Sequence, residues 1–278
     1  MERIINHSHL APLSTTKDRL IMPPLVDTLA ATELVGSVSD SDRPAVAPLG
    51  ILMFETDVPS EPGDIGCPDT FPFPVRYAVV PRMAVIRVAH SIDDALLATF
   101  IHAAAGLVEQ GCHGIVTTCS FLARWQTELA MSLTVPVLAS SLLQVSMVQR
   151  LLPRRQRVGI VIRSAIEVND AAFQAAGVEP YGAVECVLHD HQSATTLGDD
   201  SPRQHRERMQ ADVVAAARRL VGAHAHLGAI VLECASMSAH RDAVAEATGL
   251  PVFGALQLFT WFHAGLQGTR APYRRHLP

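Results

Sequence analysis

The segment Gly114-Ile-Val-Thr-Thr-Cys119 decides the fold, because the chain repeats it as Ala229-Ile-Val-Leu-Glu-Cys234. After each cysteine the next apolar run contains a proline, 17 residues further on in both copies (136 − 119 and 251 − 234). A short apolar run, a cysteine, a helix-length segment and a second apolar run at equal spacing indicate two similar halves. The copies lie 115 residues apart (234 − 119), which is too long for a solenoid and indicates a pseudo-twofold pair of lobes.

The repeat extends upstream, where Leu49-Gly-Ile-Leu-Met53 is similar to Val158-Gly-Ile-Val-Ile162. Short runs rich in Val and Ile are typical of parallel strands buried on both faces. They alternate with longer helical patterns, and Gly111, Gly177 and Gly249 fall just past three of these, where a left-handed helix cap favours glycine. We therefore predict an α/β fold: two similar Rossmann-like lobes with parallel sheets, pseudo-twofold, with the active site in the cleft between them.

Each half is predicted to contain four strands. The predicted strands are Leu49–Phe54, Tyr77–Pro81, Gly114–Thr118, Val135–Ala139, Arg157–Ile162, Ala183–Leu188, Gly228–Leu232 and Pro251–Gly254. The predicted helices are Ile92–Gln110, Phe121–Leu133, Leu142–Leu151, Ala165–Ala176, Pro202–Ala223, Ser236–Thr248 and Leu256–Leu266.

Residues 1–44 differ from the rest of the chain, because they are rich in Ser, Thr, Pro and Asp. We expect an N-terminal extension there that need not be ordered. The first α/β lobe is expected to cover residues 45–140 and the second residues 141–254. The C-terminal segment 255–278 is expected to return to the first lobe.

The composition argues against several classes of protein. Only 18% of the 278 residues are charged, the net charge is −5 and 5% are aromatic, so neither a basic surface nor a stacking platform for nucleic acid is expected. No apolar run approaches the ~20 residues of a membrane-spanning helix, and we identify no secretory signal. Five cysteines without an export signal predict free thiols and a cytoplasmic location.

Cys119 and Cys234 are the candidate catalytic residues. Ligands of open α/β sheets bind beyond the carboxyl ends of the strands, where both cysteines are predicted to lie. If the lobes face each other, one thiolate can take a proton from a carbon centre while the other thiol returns a proton to the opposite face. A helix N-terminus lowers a neighbouring thiol pKa and offers N–H groups to a carboxylate. A lone buried cysteine is usually a packing residue, but packing does not require cysteine at the same place in both halves.

Polar residues near the cysteines are the candidate substrate-binding groups. Thr118, Ser120 and Ser236 can supply hydroxyl donors. Ser141 either contacts the substrate or caps the following helix. Glu55 follows the first strand and either binds a substrate ammonium group or is a solvated loop carboxylate.

Three other sequence features are not assigned a catalytic or binding role. Glu233 directly precedes the second cysteine and is predicted to be nearly buried with a hydrogen-bond partner. His189 and His191 are spaced like a metal-ligand pair, but no third ligand accompanies them, so no metal is predicted. No phosphate-binding loop follows Gly50 or Gly159, so no nucleotide is predicted either.

The frame Thr118-Cys119-Ser120 with Glu233-Cys234-Ala235-Ser236-Met237 resembles the aspartate/glutamate racemase superfamily. That superfamily includes aspartate, glutamate and hydantoin racemases, arylmalonate decarboxylase and maleate isomerase. The resemblance extends from Gly50 to about Leu266 and implies proton transfer without a cofactor, with the two cysteines as acid and base. It also adds Phe121 and Ala235, which lie within the cysteine motifs, to the candidate substrate-binding residues.

The chain departs from the amino-acid racemases of that superfamily. They usually carry Cys-Asn-Thr where this chain has Cys119-Ser120-Phe121, and Gly-Cys-Thr where it has Glu233-Cys234-Ala235. Their recognition of amino acids is therefore not carried over. The presence of both cysteines argues against a decarboxylase of the family type, which keeps one.

We predict a cofactor-independent racemase or epimerase that inverts a stereocentre next to a carboxylate or carbonyl of an amino acid or related small molecule. The alternatives are a maleate-isomerase-like cis–trans isomerase, a decarboxylase of the same superfamily, and a catalytically inert cytoplasmic protein that binds small carboxylates. The expected partner is a small-molecule carboxylate substrate, with no nucleic acid and no membrane. A homo-oligomer is left open.

Overall fold

The computed structural model describes residues 46–81, 94–163, 168, 170–178, 183–186 and 200–267. Both sheets of the protein belong to one compact unit. The expected N-terminal extension, residues 1–44, lies outside the described residues, and so do His189 and His191.

Two four-stranded parallel sheets form the framework, one in each half. The first has the strand order β2-β1-β3-β4, with β1 at Leu49–Phe54, β2 at Val75–Val80, β3 at Gly114–Thr117 and β4 at Val137–Leu138. The second has the order β6-β5-β7-β8, with β5 at Arg157–Ile162, β6 at Ala183–Cys186, β7 at Leu227–Leu232 and β8 at Val252–Phe253. The identical order in the two halves confirms the predicted α/β fold with repeated parallel sheets.

The α-helices of the described residues lie between these strands, except the last helix, which follows β8. They are α1 at Asp94–Glu109, α2 at Gln126–Ser132, α3 at Val145–Leu151, α4 at Asp170–Ala175, α5 at Pro202–Ala223, α6 at Arg241–Thr248 and α7 at Ala255–Leu266. None of the helices in the described ranges is long and apolar enough to cross a membrane. The predicted cap at Gly249 is confirmed: its φ is 68°, and its N–H donates to the Ala245 carbonyl at 2.8 Å.

The α-helices predicted to follow the two cysteines begin later than expected, because a 3₁₀ helix precedes each of them. The segments Ser120–Trp125 and Ala235–His240 are 3₁₀ helices, and α2 and α6 start only after them. The same departure in both halves shows that it belongs to the repeated architecture. A 3₁₀ helix has three residues per turn. Over a segment of six residues this period gives nearly the same pattern of apolar residues as an α-helix, so the sequence does not distinguish the two.

A glycine in the first strand of each half lets a helix approach the sheet closely. A Cβ atom on Gly50 would lie 3.1 Å from Leu107 Cδ1 of α1, and one on Gly159 would lie 2.7 Å from Leu220 Cδ2 of α5. Both leucines are fully buried. These glycines therefore have a packing role, and it is the same role in both halves.

Helix α7 packs on the first sheet, although it follows the last strand of the second. Leu258 and Phe259 contact the apolar cluster that contains Leu49 and Ile51 of β1. Helix α1 covers the opposite face through Phe100 and its neighbours. The first sheet is thus covered on both faces, as its continuously apolar strands require.

Candidate active site

Cys119 and Cys234 occupy equivalent positions in the two halves. Each lies two residues after its strand, β3 or β7, and immediately before a 3₁₀ helix, with an extended backbone (φ −101°, ψ 104° and φ −79°, ψ 134°). Both are buried, with 3% and 5% exposure, and both are free thiols. The predicted placement between strand and helix is therefore confirmed, while the catalytic role of the two residues stays a prediction.

A hydroxyl group lies beside each sulfur. Thr118 Oγ1 is 3.9 Å from Cys119 Sγ, and Ser236 Oγ is 3.1 Å from Cys234 Sγ. Thr117 supports the first site differently, since its hydroxyl accepts from the Cys119 N–H at 3.3 Å and donates to the Ala139 carbonyl at 2.6 Å. A hydroxyl that donates to a thiolate stabilises the charged form, so the contact of Ser236 bears directly on Cys234.

A cavity of about 180 Å³ opens at the carboxyl ends of the strands. Its walls come from the residues that follow β1, β3, β5 and β7 and from the start of α5. Five of the predicted site residues line it: Glu55, Thr118, Cys234, Ala235 and Ser236. This volume suits a small molecule.

Three predicted residues are not in the lining of this cavity. Cys119 and Phe121 belong to the apolar core of the first lobe, where the Phe121 ring stacks on Phe54 with centroids 5.4 Å apart. Ser141 is buried at the first position of a 3₁₀ helix that Ser140 caps. Of Ser120 the structure describes only the backbone. The substrate-binding roles of these residues stay predictions.

Burial raises the pKa of the Cys234 thiol above its ordinary value. The Arg163 guanidinium opposes this shift, the Glu233 carboxylate adds to it, and hydrogen bonds from Ser236 lower the pKa again. The expectation that the helix N-terminus lowers this pKa is therefore wrong for Cys234, because loss of hydration outweighs the stabilising contacts. Cys234 is a thiol at neutral pH and a strong base once its proton has left.

Sequence analysis missed several charged or titratable residues of the cavity wall, among them Arg163, which follows β5. His205 and Arg206 come from the first turns of α5, and His240 ends the 3₁₀ helix that begins after Cys234. Burial, together with the nearby charges of Arg206 and His205, lowers the pKa of His240 to about 4. His240 is therefore neutral at physiological pH. No local motif marks these positions: His205 and Arg206 lie 28 or more residues before Cys234 (234 − 206), and His240 follows it without a spacing that is typical of a catalytic motif.

Charged contacts join α5 to the loop that follows β1. Arg206 Nη1 lies 3.3 Å from Glu61 Oε2 and 3.5 Å from Asp64 Oδ2. His205 Nδ1 lies 3.4 Å from Arg208 Nη2. Because a guanidinium only donates, His205 Nδ1 is the acceptor in this contact.

No three His, Cys, Asp or Glu side chains in the described part of the chain come together in a group that could hold a metal ion. His189 and His191 lie outside that part.

Solved structures identify the class of fold. A mutant of arylmalonate decarboxylase aligns with a TM-score of 0.52 over 81% of this chain and 95% of that chain, at 14% identity. An aspartate racemase homologue from Pyrococcus horikoshii aligns with a TM-score of 0.50 over 79% and 98%, at 11% identity. The protein has the fold of the aspartate/glutamate racemase superfamily, as the cysteine motifs predicted.

Curated sequence relatives narrow this class to a family. Dimethylsulfoniopropionate lyase 7 of Emiliania huxleyi is 30% identical over 231 residues, which cover 78% of this chain and 67% of the relative. Dimethylsulfoniopropionate lyase 6 of the same organism is 30% identical over 235 residues, and the match covers 58% of its length. The chain belongs to the family of these dimethylsulfoniopropionate lyases. No protein-family model matches it.

Proposed function

We propose that this protein is a lyase that removes a proton from the carbon next to a carboxylate and then expels a leaving group from the neighbouring carbon. One observation carries the proposal: in a chain of the dimethylsulfoniopropionate lyase family, a cysteine and an arginine, Cys234 and Arg163, share the wall of one small cavity. The thiolate of Cys234 is the base, and Arg163 binds the carboxylate.

The charges of the cavity fit a zwitterion. Dimethylsulfoniopropionate carries a carboxylate at one end and a sulfonium group at the other. Arg163 and Cys234 line the same small cavity, so a substrate whose carboxylate pairs with Arg163 lies in the same space as the sulfur of Cys234. In the same cavity wall the three carboxylates of Glu55, Glu61 and Asp64 outnumber the two guanidinium groups of Arg163 and Arg206. With Arg163 paired to the substrate carboxylate, this excess of negative charge favours a cationic group at the other end.

The reaction needs one base and no external co-reactant. The Cys234 thiolate takes the α-proton, and the electron pair of that C–H bond forms the carbon–carbon double bond. The carbon–sulfur bond of the substrate breaks, and its electrons stay on the departing sulfur. The products are acrylate and dimethyl sulfide, and the proton passes from the Cys234 thiol to solvent. Arg163 stabilises the negative charge that develops on the substrate carboxylate.

Release of dimethyl sulfide and acrylate from dimethylsulfoniopropionate tests the proposal. A positioned base is worth ~10²–10⁴ in rate, so Cys234→Ser is expected to lose about that factor. Cys112→Ser is the matched control, because Cys112 is also a buried free thiol, with a pKa raised by burial to about 12, but lies in the core of the first lobe. Wild-type protein that releases no dimethyl sulfide, or a Cys234→Ser variant with near wild-type turnover, contradicts the proposal.

A racemase or epimerase is the second candidate, and the repeat favours it. Elimination needs a single base, whereas inversion of a stereocentre uses one acid–base group on each face. Cys119 occupies the same place after β3 as Cys234 after β7, so the repeat supplies a second thiol, although only Cys234 is among the residues that line the cavity.

Isotope exchange separates the two candidates. The protein is incubated in deuterium oxide with dimethylsulfoniopropionate and, separately, with amino acids, hydantoins and hydroxy acids, and proton NMR follows the α-proton. A lyase keeps elimination in Cys119→Ser. A racemase instead loses inversion in that variant but keeps exchange on one face. Tight binding without exchange or elimination in any variant indicates a carboxylate-binding protein.

A further inference from the structure

His240 occupies the position that a tryptophan occupies in the other half of the repeat. The 3₁₀ helix after Cys119 ends at Trp125 and the one after Cys234 ends at His240, six residues after the cysteine in both copies (125 − 119 and 240 − 234). The backbones match as well, with φ −108° and ψ 21° at Trp125 and φ −102° and ψ 5° at His240.

The next residue of each half supports this register. Gln126 Nε2 donates to the Val137 carbonyl at 3.0 Å, and Arg241 Nε donates to the Val252 carbonyl at 2.9 Å. The two acceptors are the first residues of β4 and β8, the corresponding strands of the two sheets. A tryptophan and a histidine therefore occupy one structural position of the repeat.

The two side chains have different surroundings. Trp125 belongs to the apolar core of the first lobe, where its ring meets Phe121 edge-on with centroids 6.4 Å apart. His240 is 3% exposed and lines the cavity, and no described residue forms a hydrogen bond with its imidazole. A buried polar group without a partner costs free energy, and the first half shows that an apolar ring suits this position. Packing therefore does not explain the histidine, and a molecule in the cavity is its expected partner.

The charge state of His240 limits the kind of partner. Burial, together with the nearby Arg206 and His205, lowers its pKa to about 4, so its imidazole is neutral at physiological pH. A neutral imidazole offers one N–H donor and one acceptor nitrogen. A sulfonium group neither donates nor accepts a hydrogen bond. The carboxylate is therefore the only group of dimethylsulfoniopropionate that can bind this side chain, and it binds by accepting from the N–H.

We propose that His240 is a substrate-binding residue whose imidazole N–H donates a hydrogen bond to the substrate carboxylate. The inference rests on the proposed function, which brings a carboxylate substrate into this cavity. A carboxylate has two oxygens and several acceptor positions, so it can accept from His240 while it pairs with Arg163. Because negative charge on the carboxylate grows as the α-proton leaves, the hydrogen bond strengthens in the transition state. An uncharged donor also adds no repulsion for the cationic end of the substrate.

Proton–nitrogen NMR of the imidazole tests the inference without turnover. The full-length protein, labelled with ¹⁵N-histidine, is titrated at pH 7 with acrylate and, separately, with trimethylammoniopropionate, in which a trimethylammonium group replaces the dimethylsulfonium group. The resonances of His240 are identified by their absence in His240→Asn. Both ligands are expected to shift the His240 ring N–H proton downfield, as a hydrogen bond to a carboxylate requires, and to leave the exposed His224 unchanged.

Substitution measures the strength of the hydrogen bond. His240→Leu removes the donor and is expected to weaken binding of trimethylammoniopropionate, measured by titration calorimetry, about tenfold to a hundredfold, as for loss of a hydrogen bond to a charged group. His240→Gln keeps an N–H donor and should retain part of the affinity. His224→Gln is the matched control, because it removes an exposed histidine directly after α5 in the same lobe, and it should bind as wild type does.

Three results overturn the inference: a His240 ring N–H resonance that does not move at saturation, equal affinities of His240→Leu and wild type, or wild type that binds neither ligand. The NMR signal is measured on wild type, so the test stands if a variant folds poorly. Release of dimethyl sulfide separates this inference from the proposed function. If His240→Leu retains the wild-type kcat/KM, the lyase stands and the role of His240 is refuted. A protein that binds both carboxylates through His240 but releases no dimethyl sulfide supports that role and refutes the lyase.

Discussion

The pH dependence of catalysis is the sharpest consequence of a buried thiol base. Burial raises the pKa of Cys234 above its ordinary value, which is about 8.5 for a free cysteine. At pH 7 the thiolate fraction is therefore below about 3%, and it grows about tenfold for each pH unit up to pH 8. The kcat/KM for release of dimethyl sulfide from dimethylsulfoniopropionate is expected to rise with the same slope and to reach no plateau before about pH 8.5.

Initial rates measured from pH 6 to pH 10 at constant ionic strength check this expectation, with Cys112→Ser as the control for a general loss of a cysteine. A rate that already levels off near pH 6.5 refutes the reasoning, because it identifies an imidazole as the base. Of the two cavity histidines, His240 has a pKa of about 4 and cannot produce such a limb. A rise in rate that ends near pH 6.5 would therefore make His205, which lines the same cavity, the candidate base.

Two further predictions concern stability. Gly159→Ala is expected to lower the free energy of unfolding by about 1–3 kcal/mol in chemical denaturation, because its Cβ would lie 2.7 Å from Leu220 Cδ2. The control is Gly106→Ala in α1, which should cause no loss because no heavy atom lies within 4 Å of the new Cβ. Equal denaturation midpoints for the two variants would contradict this account. The pKa of His240 is lowered in the folded protein, so between about pH 6.5 and pH 4 the unfolded chain binds a proton at this residue that the folded chain does not. The contribution of neutral His240 to the free energy of unfolding is therefore complete above about pH 6.5 and is lost as the pH falls toward 4. His240→Asn should therefore show a smaller fall of its urea midpoint between pH 7 and pH 5 than wild type, and an identical fall would show that His240 is protonated in the folded state.

The framework could be predicted because strand and packing signals are local. The apolar runs around Gly50 and Gly159 fix β1 and β5, and the spacing from each cysteine to its proline fixes the repeat. The ends of the elements were less certain. The strand predicted at Val135–Ala139 pairs only over Val137–Leu138, because the sequence does not show where neighbouring strands stop running side by side.

The cavity could be predicted only in part, for a physical reason. Cys234, Ser236 and Glu55 follow strands directly, so the rule that ligands bind at strand ends finds them. His205 and Arg206 enter from α5, whose side chains reach the cavity only because that helix packs over the second sheet. The shift in the pKa of Cys234 was missed for the same reason, since burial is a property of the assembled lobes.

The unequal residues before the two cysteines have a consequence for how such a site can arise. Two identical half-length chains that paired symmetrically would carry the same residue before both cysteines, so both thiols would have the same acidity. Joining the halves in one polypeptide removes that constraint, because each position can then mutate by itself. Thr118 and Glu233 are such a divergent pair, and a fused chain, unlike a symmetric homodimer, can hold a neutral residue before one cysteine and an acidic residue before the other.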